Sequence, residues 1–508
     1  MCRSFILRGA LPHGRRVASR RPAWGATRTI GELPRTTTSG GDTAALLAPA
    51  PRSVYIKRMR RLALLVLLSL SAGVAVAPAG DCPRVHVYLV IIDGLQAEAA
   101  TPAAMPRLFD ASLEPVQLRT EALATMPTRT DPNHVTLLSG LLAEGHGITG
   151  NVYWNRSADG GLEKLEAARL IEAETLFTVV ETTRPELVTV AAFSKAKLGS
   201  IFGAVKDRQH APDVMWTPES GGIAAKLTDV ASDAETMDAF LAATAEREPD
   251  LAAINLSEVD RTSHQSGPRA ADEARRDAST AVGRLVDDLH ARGRWERSVL
   301  LITSDHGFDD VTPTEARPEP SIALSEWIEA AGAIGLHVAS DGGMAHVYAG
   351  AVRPQAETFG PAASTLAWVA SIAWRVPGVV EVLARLPVPG VPTLAEAHPD
   401  WGLTHERAGD LLVVAAPGYQ FVEPHDALTR SFKGNHGSPA ERRIPLIVAG
   451  GALGDGPALE LPTPPSSADV GMTIATLLGV RAPRRFDGGP ARAGRPIALG
   501  LHSPHCEK

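Results

Sequence analysis

Cysteine is nearly absent from the chain: Cys2, Cys82 and Cys506 are its only three in 508 residues. None stands in a CxxC pair, so cysteine-based metal binding is not indicated. Cys82 and Cys506 lie at the two ends of the expected mature chain. In an oxidising compartment a disulfide between them would join the termini, and two free thiols fit the sequence equally well. Aromatic residues are sparse at 5%, a compositional bias that carries little functional information. A broad basic footprint is missing as well. Residues 1–61 hold thirteen Lys and Arg against Glu32 and Asp42, a net of +11, and the chain as a whole is at −7. The part from Gly80 onward is therefore at −18 and acidic, which argues against tight binding of duplex nucleic acid. No internal repeat and no low-complexity domain interrupts the chain after Arg84.

Apolar residues make up 44% and charged residues 21%, the balance of a globular protein. The length exceeds what one ordinary core needs and suits a large domain with insertions. Lys57, Arg58, Arg60 and Arg61 precede the apolar run Leu62–Leu70, and Ala77-Pro78-Ala79 offers a cleavage site before Gly80. Residues 59–79 are thus expected to be a signal peptide, and the protein to be exported to a periplasm or secreted. The alternative is a retained membrane anchor, but Leu62–Ala77 is short against the roughly 20 residues that a span requires. Residues 1–58, rich in Arg, Pro and Thr, read as a disordered or misassigned extension ahead of a true start at Met59.

From Arg84 short apolar runs alternate with amphipathic stretches, the pattern of an α/β fold with a mainly parallel sheet flanked by helices. Strands are expected at Arg84–Ile92, Leu187–Phe193, Leu251–Leu256, Ser298–Thr303, Asp410–Ala415 and Ile444–Val448. Helices are expected at Leu165–Glu181, Thr236–Ala245, Asp272–Ala291 and Asp469–Leu478. Residues 80–508 form the expected catalytic domain. The alternation breaks between about 312 and 406, which reads as an inserted cap with helices near Ser325–Ala331 and Ala362–Arg375.

Polar groups of unusual kind follow three of these strands. Asp93 ends VYLVIIDG, Asp260 and His264 lie in NLSEVDRTSHQSGP, and Asp305-His306 close VLLITSDHG; His436 lies in the Gly-flanked loop KGNHGSP. Open α/β sheets gather ligands at the carboxyl ends of their strands, so groups far apart in sequence can converge there. Asp93 alone reads as a turn residue. Asp260 and His264 share one face if their segment is helical. Together the set offers three Asp and three His, enough for two divalent ions of the zinc type. In MPTRTDPNHVTLLSG, Pro132 suits the first turn of a helix, which puts Thr130 just ahead of a helix N-terminus where a phosphate is attracted. Read from this segment alone, a helix cap is the simpler account of Thr130.

The ordered set Asp93, TDPNH with Thr130, HGITGN with Asn151, Asp260-x-x-x-His264, SDHG and NHG with His436 resembles the alkaline phosphatase superfamily. Within it the chain looks most like the nucleotide pyrophosphatase/phosphodiesterase (type I phosphodiesterase) branch, over roughly residues 93–437; DVGMTIATLLGV at 469–480 also resembles that superfamily's sheet-closing helix. The resemblance implies an alkaline-phosphatase-like core and two zinc ions. One ion would be held by Asp260, His264 and His436, the other by Asp93, Asp305 and His306 with the Thr130 oxygen. It further implies Thr130 as nucleophile, Asn151 as a donor to a phosphate oxygen, and structural roles for His134 and His146. The position after the nucleophile, aromatic in many nucleotide-cleaving members, is Asp131, a substrate-facing carboxylate expected to disfavour nucleoside triphosphates.

The reading is an exported two-metal hydrolase of small phosphodiester or nucleotide-like substrates that works through a phosphothreonine. Membrane association is expected only if residues 59–79 are retained. A phosphomonoesterase is the nearest rival; such enzymes add a cationic group for the extra charge, and only Arg129 suggests one in the sequence near Thr130. A sulfatase lacks support because no Cys- or Ser-x-Pro-x-Arg pattern is present. A non-catalytic binding protein on the same scaffold would be expected to have lost a ligand, and none of the six is missing.

Overall fold

The strand His86–Ile92, apolar or aromatic at every position after His86, is the one around which the main sheet is organised. Its side chains alternate between two cores: Val87, Leu89 and Ile91 enter one, Tyr88, Val90 and Ile92 the other. A strand buried on both faces is what a parallel sheet covered by helices requires. This computed structural model describes residues 84–501 apart from 158–159, 206–207, 221–228, 334, 351–357 and 455–462; the expected leader, the signal segment and all three cysteines lie outside the described residues.

In spatial order the main sheet runs Val116–Leu123, Arg443–Ala449, Ser298–Thr303, His86–Ile92, Leu251–Leu256, Thr189–Phe193, Val214–Trp216. The five strands from Ser298–Thr303 to Val214–Trp216 are mutually parallel. Arg443–Ala449 pairs antiparallel to both of its neighbours. Helices Thr130–Leu137, Leu176–Thr183 and Ser467–Leu477 send Val135, Phe177 and Ile474 into one core. Asp233–Ala243 and Asp272–Ala291 send Phe240 and Val282 into the other. On the second of these, Ala278, Ala281, Val282, Leu285 and Leu289 are buried at helical spacing and hold it against the sheet. The fold is thus the expected α/β core with a mainly parallel sheet.

A second, four-stranded antiparallel sheet is inserted between the strands Ser298–Thr303 and Arg443–Ala449. Its order is Leu336–Asp341, Met344–Ala349, Leu411–Ala415, Val379–Ala384. Leu324 and Ile328 from one helix, Leu324–Ala330, and Leu366 and Val369 from another, Ala362–Ala373, join Val347, Val382 and Val413 in its own core. The strand expected at Asp410–Ala415 forms, but in this sheet.

The expected helix Leu165–Glu181 is confined to Leu176–Thr183, where Thr175 and Thr178 make a reciprocal cap. The residues before it are drawn away instead. The Leu170 carbonyl accepts from Arg407, and Glu172 pairs with Arg407 at 2.7 Å and His405 at 3.0 Å. Among the described residues no helix is long and apolar enough to cross a membrane.

Candidate active site

Asp93 directly follows the strand His86–Ile92. Asp260 and His264 sit on the helix Glu258–Ser266 that opens two residues after Leu251–Leu256, and Asp305-His306 follow Ser298–Thr303. These are three neighbouring parallel strands, so their carboxyl ends deliver all five groups to one place. His436 arrives from the loop before Arg443–Ala449, and Thr130 is the first residue of the helix Thr130–Leu137.

Donor atoms of Asp93, Asp305 and His306 lie within 4.8 Å of one another, as do those of Asp260, His306 and His436. His264 joins the second group, its Nε2 3.6 Å from Asp260 Oδ1, the same distance as His436 Nε2. Each imidazole has its Nδ1 beside a backbone carbonyl: His264 on Gly434 at 3.0 Å, His306 on Gly307 at 3.0 Å, His436 on Thr128 at 2.7 Å. A carbonyl can only accept, so Nδ1 carries the proton and every Nε2 keeps its lone pair for the cluster. Thr130 Oγ1 stands 3.3 Å from His306 Nε2, and its hydroxyl donates there.

Three buried carboxylates in one cluster repel one another. Burial, followed by the charge of Asp305, pushes Asp93 up to about 7. Burial also raises Asp260 and Asp305, but Lys195 and His264 outweigh it at the first, and His306 and His134 at the second, so both end below the usual range. Burial lowers His264 to about 4 and holds His436 well below the usual imidazole range. Asp260 Oδ1 and Asp305 Oδ2 are buried without a hydrogen-bond partner. Neutral imidazoles, crowded carboxylates and unpartnered oxygens together fit divalent cations, and the mixed N/O donor set suits zinc or a similar first-row ion.

Asn151 is tied to the helix that Thr130 opens, its Oδ1 accepting from the Asp131 N–H at 3.1 Å. It lines a cavity of about 450 Å³ together with Thr130, Asp260, His264 and His436. Asp131, expected to face substrate, is instead fully buried, because its carboxylate turns to Lys197 in an ion pair at 2.7 Å. His134 donates from Nδ1 to the Thr130 carbonyl, and its Nε2 accepts from Asn255, which also donates to Asp93. His146 bonds Thr136 and the Ile148 N–H and does not join the cluster.

Several groups escaped the sequence reading. Lys195 bridges Asp93 and Asp260 at 2.9 and 2.8 Å; burial lowers its pKa, but Asp260 and Asp93 raise it more, and it remains a cation. Lys195 and Lys197 line the cavity beside Arg129, the cation that the sequence had suggested there. The signal was available: Ser194-Lys195-Ala196-Lys197 follows the strand Thr189–Phe193, so the strand-end rule that found Asp93 also points to Lys195. Asp341, from the inserted sheet, pairs with Arg129 at 2.8 Å and had no such signal.

A family model described as type I phosphodiesterase / nucleotide pyrophosphatase matches residues 87–439. Human ectonucleotide pyrophosphatase/phosphodiesterase family member 7 is 26% identical over 259 residues, 48% of this chain and 54% of that protein. Mouse family member 1 is 24% identical over 192 residues, 36% of this chain and 19% of that protein. The chain thus spans about half the length of the family member 7 relatives it matches. The solved structure of murine ectonucleotide pyrophosphatase/phosphodiesterase 5 superposes with a TM-score of 0.60 at 18% identity, covering 81% of this chain and 98% of that one.

Proposed function

For a chain that belongs to the type I phosphodiesterase / nucleotide pyrophosphatase family, we propose the hydrolysis of small phosphodiester or nucleotide-like substrates through a covalent intermediate on Thr130. The observation that carries this reading is the Thr130 hydroxyl, at the start of a helix and 3.3 Å from His306 Nε2, among the two carboxylate–imidazole groups. Asp260, His264 and His436 would hold one divalent cation, and Asp93, Asp305, His306 and the Thr130 oxygen the other. Bound there, two such ions would ease ionisation of the hydroxyl and neutralise the charge on the phosphoryl group.

The residues of the chain do the rest. Thr130 Oγ1 forms a bond to phosphorus as the bond to the leaving oxygen breaks, giving a phosphothreonine and an alcohol or nucleotide product. Asn151 has its Oδ1 engaged by the Asp131 N–H, which leaves its amide N–H groups to donate to a non-bridging oxygen. Water then attacks phosphorus and returns the hydroxyl to Thr130. Buried and paired to Lys197, Asp131 offers no aromatic face for a base, so a nucleoside leaving group gains no stacking there, and glycosidic or lipid leaving groups are favoured. We further propose that the protein is exported and works with zinc.

A second reading, phosphomonoesterase, draws support from one observation: Lys195, Lys197 and Arg129 line the same cavity and suit the added negative charge of a terminal phosphoryl group. Rates on bis(p-nitrophenyl) phosphate and p-nitrophenyl phosphate, with zinc, decide between the two. Diester preference that falls by at least about 10³-fold in Thr130→Ala, at unchanged zinc content, is the expected result. Monoester preference would establish the second reading, and activity surviving in Thr130→Ala would remove the covalent step.

A further inference from the structure

We infer that Asp341, at the tip of a hairpin in the inserted sheet, is a positioning residue that sets the relation between Asn151, Thr130 and His436. The inference rests on the phosphoester reading of the site.

The hairpin joins Leu336–Asp341 to Met344–Ala349 through Gly342-Gly343, with Asp341 opposite Met344. Asp341 is 2% exposed, and its two oxygens serve two different segments. Oδ1 lies 2.8 Å from Arg129 Nε, and Oδ2 accepts the Asn151 N–H at 2.9 Å. Arg129 immediately precedes Thr130, at the residue from which its helix starts. The same Arg129 reaches on through Nη1 to the His436 carbonyl at 2.9 Å and to Asn435 Oδ1 at 3.2 Å. Gly343 N–H donates to that carbonyl as well, at 3.0 Å. One buried carboxylate thus joins the residue before the nucleophile, the phosphate-oxygen donor and, through Arg129, the loop of a metal ligand.

Neutralising Arg129 would by itself account for a buried Asp at this point, but the surroundings are shaped for the further contacts. A Cβ at Gly150 would overlap Asp341 Oδ2, and one at Gly437 would crowd the Asp341 carbonyl. Both glycines leave room for the hairpin tip to reach the chain on either side. The Asn151 amide is then held from two directions, its backbone N–H by Asp341 and its Oδ1 by the Asp131 N–H. Asp341 touches neither the reacting atoms nor the metal-ligand side chains, so its effect passes through the aim of Asn151 and Thr130. A misplacement of about 1 Å at such groups costs up to about a hundredfold in rate.

The test uses the full chain with zinc and the variants Asp341→Ala and Asp341→Asn. Three quantities are read: turnover of bis(p-nitrophenyl) phosphate, bound zinc, and amide hydrogen exchange. The Ala variant is expected to lose about ten- to a hundredfold in kcat with little change in KM. Its zinc content should hold, and exchange should quicken at 148–152 and 127–131 while the inserted sheet stays protected. Asn retains an acceptor for the Asn151 N–H, so it should recover part of kcat and slow exchange at 148–152. Wild-type kcat in Asp341→Ala overturns the inference. So does a loss that Asn does not moderate and that runs parallel with lost zinc or general loss of protection, since that is a merely structural role. If the wild type turns over neither aryl ester, the phosphoester reading fails on its own. Exchange then decides: unchanged protection at 148–152 in the Ala variant overturns the bracing role, and selective loss there upholds it.

Discussion

Asp93 carries the heaviest electrostatic load of the cluster. It is fully buried at the end of the central strand, pushed up to about 7 by burial and by Asp305, and it takes bonds from Lys195 and Asn255. A carboxyl with a raised pKa is protonated below that value and ionised above it, so protons compete with a cation on the acid side only. Zinc affinity of metal-stripped protein is therefore expected to rise about tenfold from pH 6 to pH 8 and to level off above, the change that one proton leaving at about 7 produces. His264, lowered to about 4, has already lost its proton throughout that window. A chelator competition titration at the two pH values measures the ratio; equal affinities would show that Asp93 does not titrate there. Lys195 contributes in the opposite sense, as a fixed cation that zinc must compete with at both pH values.

Largely apolar strands and the amphipathic helix Asp272–Ala291 were legible in the sequence, and short or charge-alternating strands were not. His86–Ile92, Leu251–Leu256 and Ser298–Thr303 are largely apolar runs, and the strand-end polar groups that follow them fell into place with them. Val116–Leu123 escaped because VQLRTEAL lies at the sheet's edge and alternates with charge, and Val214–Trp216 because it is three residues long. Leu411–Ala415 is as apolar as any parallel strand, since both of its faces are buried too; composition tells burial, and which sheet supplies it is a tertiary fact. Asp341 was invisible for the same reason, a carboxylate ending a strand whose partners lie 190 and more residues away. At the hairpin that carries it, Gly342 has φ +70°, and a Cβ there would overlap the His436 carbonyl. Gly342→Ala is accordingly expected to cost about 2 kcal/mol or more in urea unfolding and to lower bound zinc, because relief comes most directly by displacing the His436 loop. A wild-type unfolding midpoint would mean that the hairpin yields instead.

At the scale of the whole molecule, the cluster lies where the two-sided core gives way to the inserted sheet, and the buried carboxylates there are a standing repulsion within the folded state. Chelation should therefore lower Tm, and zinc at a hundredfold its Kd should restore about 2.7 kcal/mol per site. Calorimetry of the full chain with EDTA and with added zinc measures both; a Tm indifferent to zinc would remove the cluster as a metal centre. The three imidazoles, meanwhile, are all oriented by the carbonyls of Gly434, Gly307 and Thr128. Every amino acid brings the same carbonyl, so replacing the side chain at any of those three positions leaves the acceptor in place. Such a site is inherited through the course of the backbone and a handful of ligands. The chain could change all three of those side chains and still hold the rings facing the same way.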